Sequence, residues 1–168
     1  MATTKSKGDL AELMVAADLR RKGYKIAIPF GEDWDYDLIL ERGDRLERVQ
    51  VKYATSDGAV IEARCRSHSL TNGKIKRTKY YTAATIDWLA IYDATTQRCF
   101  YVPAKELGNG RNSISLRLAP ARNNQSQGIR LAAAYQDLSS STQQVELPME
   151  PAGLEPAPSA LQTPRSPN

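Results

Sequence analysis

The stretch that most limits what this chain can become is residues 46–54, LERVQVKYA. Successive side chains of a strand leave opposite faces. Leu46, Arg48, Gln50 and Lys52 therefore share one face, and Glu47, Val49, Val51 and Tyr53 the other. A sheet with a glutamine and a lysine side by side on one face has to be part of the fold.

The flanking segments supply the rest of that sheet. Residues 8–22 read as a helix, with Leu10, Leu13, Met14 and Ala17 repeating at helical spacing. Gly23 ends it, after three cations in the last turn. Glu12 shares its face with Val15, Ala16 and Leu19, so the helix is apolar on more than one side. Residues 24–29 (YKIAIP) and 36–41 (YDLILE) read as strands, and 42–45 (RGDR) as a turn. Residues 60–66 read as a further strand. Residues 67–80 form a basic loop with Asn72-Gly73 as a turn signal. Residues 86–92 (IDWLAIY) read as a central strand. Residues 99–102 read as another, stopped by Pro103, and 113–118 as a short strand-like run. Residues 128–136 (GIRLAAAYQ) read as a last helix, and Trp34 and Trp88 as packing residues. The expected class is mixed α/β or α+β, as one domain over residues 1–138. Beyond it, six of the nine prolines fall among Ser, Gln and Ala, which reads as a disordered tail over 139–168.

Composition removes several kinds of chemistry. His68 is the only histidine, and Cys65 and Cys99 stand far apart. A zinc site of several His and Cys ligands is out of reach. A Ser–His–Asp or Cys–His arrangement would rest wholly on His68. The cysteines read as reduced thiols of a cytosolic protein. No apolar run approaches the roughly 20 residues of a membrane span, and the first residues lack a signal peptide's apolar stretch, so the expected location is a bacterial-type cytosol or nucleoid. The formal net charge is +4; residues 139–168 carry −2, leaving +6 on the first 138. A basic folded part suits a polyanionic partner.

What remains is carboxylate, lysine and a hard cation. Asp37 opens the strand before 46–54, and neighbouring strands lie about 4.8 Å apart, so Asp37, Gln50 and Lys52 can converge. The helix can add Glu12 across that face. Asp35 competes with Asp37; Asp37 is favoured because it directly precedes Leu38-Ile39-Leu40. Mg²⁺ takes oxygen ligands and keeps several waters, so one or two carboxylates suffice. A lysine beside it can orient or deprotonate an attacking water and stabilise charge on phosphorus. Taken alone, Gln50 and Lys52 also fit the polar face of a half-exposed strand.

The order Glu12, Asp37, Gln50, Lys52 resembles the PD-(D/E)XK nuclease superfamily. More narrowly, residues 5–136 resemble its endonucleases associated with group I introns. The matching pieces are Lys7-Gly8 with Glu12, Lys22-Gly23-Tyr24, Pro29, Tyr36-Asp37-Leu38 and Val49-Gln50-Val51-Lys52. The resemblance implies a restriction-endonuclease-like core and an intron-encoded homing endonuclease that cuts double-stranded DNA. It implies Mg²⁺, with Mn²⁺ as a substitute, and a homo-oligomer, dimer or tetramer. It makes Asp37 the main metal ligand and Lys52 the catalytic lysine. Gln50 stands where most of the superfamily has an acid, the Val51 carbonyl becomes a further ligand, and Glu12 acts directly or through water. An amide oxygen can bind a metal but brings no charge; in the narrower group, Q-x-K is the expected form. A junction resolvase or repair nuclease of the same fold, or a DNA-binding module that has lost catalysis, are the alternatives.

The basic residues Arg64, Arg66, Lys74, Lys76, Arg77 and Lys79, next to Tyr80 and Tyr81, are the expected DNA contacts. Their cations neutralise phosphates and can read guanine edges. A β-ribbon around Asn72-Gly73 is the expected vehicle.

Overall fold

The computed structural model describes residues 3–31, 34–71, 74–119 and 128–138, with the side chains of 69–76 left aside. The expected turn at Asn72-Gly73 and the expected tail at 139–168 lie outside the described residues.

Helix α1 (Thr4–Arg21) begins earlier than its apolar pattern, because Thr3 caps it: its Oγ1 accepts the Ser6 N–H at 3.2 Å. It ends as expected. Gly23 takes φ +86°, Gly23 N–H donates to Arg20 O and Tyr24 N–H to Leu19 O, a closure that favours glycine. Of its apolar sides, one faces the core. Ala11, Val15 and Leu19 are fully buried, whereas Leu10 and Leu13 are 44% and 68% exposed. Both stripes repeat at helical spacing, and the sheet takes the one beside Glu12.

Five strands form the main sheet. They are β1 (Lys25–Ala27), β2 (Leu38–Arg42), β3 (Arg45–Ala54), β7 (Trp88–Asp93) and β8 (Arg98–Pro103), in that spatial order. Only β3 and β7 run parallel. The alternation of β3 holds. Val49 and Val51 pack under α1 with Leu38, Leu40, Ala90 and Tyr101. On the opposite face Leu89, Ile91, Phe100 and Val102 meet a second layer. That layer contains β4 (Val60–Arg64) paired with β9 (Ser113–Arg117). The run at 86–92 is buried along all of β7, apolar on both faces as a covered parallel strand should be, although it stands next to the edge strand rather than at the centre.

Two expectations fail. Residues 128–136 hold only a 3₁₀ turn at Ala132–Tyr135. Leu131 stays extended and bridges Arg117, whose N–H donates to Arg130 O at 2.7 Å; that pairing takes the backbone a helix would need. Trp88 is buried, with its indole N–H on Glu47 Oε2 at 2.7 Å, but Trp34 is 52% exposed. The basic stretch, in turn, is an antiparallel ribbon: β5 (Arg66–Thr71) pairs with β6 (Lys74–Tyr80).

Candidate active site

Strand β2 pairs with β3 as far as Leu38 opposite Val49. One step earlier, Asp37 N–H still donates to Val49 O at 2.9 Å. Val49 and Val51 turn their backbone groups the same way, so Val51 is the first residue of β3 whose amide and carbonyl face a strand that has already left. A buried backbone pair needs partners. Two side chains provide them. Asp37 Oδ2 accepts Val51 N–H at 2.7 Å, and Gln50 Nε2 donates to Val51 O at 3.2 Å. Gln50 Nε2 also donates to Asp37 Oδ2. The fork between the strands thus gathers a carboxylate, a carbonyl and an amide at one point.

The charges at this fork are poorly compensated. Burial raises the Asp37 pKa, against the opposing pull of the Val51 N–H, Lys52 and Gln50. Burial also raises that of Glu12, reinforced by the negative charges of Asp37 and Asp9 and opposed by Lys52. Glu12 is half-buried and reaches this neighbourhood from a direction that differs from the one expected. Helix α1 lies on the Val49–Val51 side of the sheet, not across the Gln50–Lys52 face. Two carboxyls with raised pKa beside one lysine form the kind of cluster found at functional sites.

Lys52 turns to Tyr81. Its Nζ donates to Tyr81 Oη at 3.1 Å and lies 4.8 Å from the ring centroid. In the sequence Tyr81 is an aromatic beside the basic run, and nothing at a separation of 29 residues signals this contact. Asp35 is taken by Lys79, which donates to it. It is not among the groups bonded to Asp37.

The other expected DNA contacts spread along the ribbon and its base. Arg64 and Arg77 are exposed, and Arg66 Nη1 donates to Asn112 Oδ1 at 2.8 Å. Lys74 and Lys76 belong to β6, but their side chains lie outside the described part. His68 is also on the ribbon, its Nδ1 3.0 Å from Thr78 Oγ1. Both cysteines are free and buried, and burial pushes Cys65 to about 11 and Cys99 to about 12. Neither is a ready thiolate nucleophile. Among the described residues no three His, Cys, Asp or Glu side chains cluster as metal ligands, so a cation here would rely on the carbonyl and the amide as well. Among the described residues no helix is long and apolar enough to cross a membrane.

Comparison with known proteins follows the same lines. No curated protein matches the chain. Among solved structures, the fold is similar to that of a bacterial homing endonuclease, I-Ssp6803I, with a TM-score of 0.63 and 20% identity over 80% of this chain and 89% of that one. A family model described as PD-(D/E)XK endonuclease matches residues 2–138, a span that takes in every described residue. The strand fork at Asp37 and the Q-x-K strand that follows therefore sit in a nuclease fold, and the chain belongs to the PD-(D/E)XK endonuclease family.

Proposed function

We propose that the protein is a divalent-metal-dependent, site-specific endonuclease of double-stranded DNA, encoded within an intron. One observation carries the metal reading: Gln50 Nε2 bridges Asp37 Oδ2 and Val51 O. Its hydrogens put partial positive charge between two hard oxygens, where a small cation would fit. Turning the Gln50 amide over presents Oε1 as a third oxygen donor. Asp37, the Val51 carbonyl and Gln50 would hold Mg²⁺ or Mn²⁺, and Glu12 would reach the ion directly or through water. A cation bound there polarises the phosphate and neutralises developing charge. Lys52 orients the attacking water and stabilises the charge on phosphorus.

The site-specific, homing role is supported by the intron-endonuclease resemblance of residues 5–136 and by a fold shared with a homing endonuclease. The exposed arginines of β4 and β6 and the ribbon geometry suit a duplex groove, and the basic charge suits phosphates. A duplex presents two strands of opposite polarity, and one such site cuts one strand. Two copies related by a twofold axis would bring a site to each, which supports a homo-oligomer. A cytosolic or nucleoid location goes with this reading.

The test is cleavage of a pooled duplex library with Mg²⁺ and with chelator, for the natural protein and Lys52→Ala. Discrete, metal-dependent products that vanish in the variant are expected. Normal cutting by Lys52→Ala overturns the reading. Metal-dependent binding with no product points to an inactive binding module, and cutting of four-way junctions alone points to a resolvase.

A further inference from the structure

We propose that Tyr81 is a positioning residue: it holds the Lys52 ammonium out of an ion pair with Asp37 and aims it at the reacting phosphate. The inference rests on the nuclease reading and deepens it.

Lysine carries a compact charge on four rotatable bonds, so its place in a site has to be imposed. Lys52 stands two residues from Gln50 on the same strand face, and its charge is felt by both Asp37 and Glu12. An ion pair with Asp37 would neutralise it. Among the described residues, its hydrogen-bond partner is instead the Tyr81 hydroxyl, with the ring within cation–π range. A phenol suits this task. It accepts a hydrogen bond without supplying a negative charge, so Lys52 keeps its own charge for the substrate and Asp37 keeps its oxygen for a cation.

Tyr81 is itself firmly placed. It is 3% exposed and lies in the core between the main sheet and the second layer, with Cys65, Ile86, Leu89 and Ile91. It directly follows β6, and its N–H donates to Cys65 O at 3.0 Å. Cys65 in turn precedes β5 and donates its N–H to Asn112 O at 2.9 Å. The two ends of the ribbon are therefore tied together at the residue that holds Lys52. Gly110 tightens the same base: its φ is +105°, and a Cβ there would stand 2.8 Å from Tyr80 Cβ.

Tyr81→Phe removes one oxygen and keeps the ring; Tyr81→Leu removes the ring as well. The measurements are single-turnover cleavage of a duplex that the natural protein cuts, affinity for that duplex in chelator, and the ¹⁵Nζ–¹Hζ signal of Lys52, assigned by its loss in Lys52→Ala. Tyr81→Phe should slow cleavage roughly 3- to 10-fold, the worth of one hydrogen bond, with affinity unchanged. Tyr81→Leu should slow it further and move the Lys52 signal toward that of exposed lysines. A folded Tyr81→Leu that leaves the signal in place, or a Tyr81→Phe that cuts at the natural rate, overturns the inference. If Tyr81→Leu fails to fold, Tyr81→Phe decides alone. Normal cleavage by Lys52→Ala, or none by the natural protein, sinks the nuclease reading and this inference with it. An inactive Lys52→Ala beside fully active Tyr81 variants sinks this inference only.

Discussion

Strand β3 is flanked by two aspartates of the same design, one on each side. Asp37 precedes β2 and Asp87 precedes β7. Each gives its own N–H to a β3 carbonyl at 2.9 Å, Asp37 to Val49 and Asp87 to Arg48. Each takes a β3 N–H on its carboxylate at 2.7 Å, from Val51 and Arg48 respectively. What differs is the side chain that the strand offers. Arg48 grips Asp87 with Nε at 3.0 Å and Nη2 at 3.3 Å. Burial raises the Asp87 pKa, but the Arg48 bonds outweigh it and the net shift is downward. Asp37 meets a neutral amide, burial wins, and its pKa rises. One local motif thus makes a closed structural joint beside a guanidinium, and beside a glutamine it leaves a carboxylate whose charge burial opposes.

The largest effect should come from Asp37→Asn. It keeps the oxygen that accepts Val51 N–H and removes the charge. Cleavage should fall on the order of 10²-fold or more, while the corresponding change at Asp87 should leave the chemistry in place on folded protein. Equal losses of rate in the two variants would erase the distinction. Next in size, Arg48→Gln gives Asp87 the neighbour that Asp37 has. Charge-assisted hydrogen bonds contribute about 1.5–3 kcal/mol; both side chains here are about one-third exposed, so about 1–2 kcal/mol is expected in denaturant unfolding. A carboxyl with a lowered folded pKa stabilises above its ordinary value of 3.8 and loses that contribution as pH falls through the folded value. The deficit of Arg48→Gln should therefore shrink in acid. A deficit constant from pH 7 to pH 3 would mean that packing, not charge, holds the joint.

Gln50→Glu sharpens the contrast the other way by adding a second carboxylate to the fork. Metal-free protein should lose stability at neutral pH, and Mg²⁺ should restore more than it gives the natural protein. A tenfold tighter site corresponds to about 1.4 kcal/mol, read as the difference in melting shift with and without the ion. Identical Mg²⁺ responses would remove position 50 from the site.

The strand that carries Gln50 and Lys52 was legible because period two is unambiguous over nine residues. Helix α1 was legible as a helix but not in its orientation. Two apolar stripes competed, and only the packing of Ala11, Val15 and Leu19 on Val49 and Val51 decides between them. The last segment misled because Ala-rich composition favours helix locally, while the Arg117–Leu131 bridge is a tertiary contact. Asp87, like Asp37, stands directly before an apolar run. The place of Asp37 ahead of the Q-x-K strand, and the match of four residues to a family pattern, set it apart. The partner of each acid depends on which strand lies alongside, and Tyr81 reaches Lys52 across 29 residues of ribbon that local pattern does not join.

The smallest effect is the most direct reading of the difference between the two aspartates. A carboxyl whose folded pKa is raised costs stability once it ionises. The cost is absent below the ordinary value of 3.8, where folded and unfolded chains are both protonated. It grows as pH rises through the folded value and is complete above it. Asp37→Asn should therefore be more stable than the natural protein at pH 7 in chelator, with the gain closing toward pH 3. The gain is modest because Asp37 is only partly buried and water screens it. Saturating Mg²⁺ should reverse the order, since the natural site has one more carboxylate charge to offer the ion than the variant, which keeps only Glu12. Thermal unfolding of both proteins at the two pH values, with and without Mg²⁺, gives the answer. If Asp37→Asn is less stable at pH 7 and the deficit vanishes in acid, Asp37 behaves like Asp87, and the site has no stored preference for a cation.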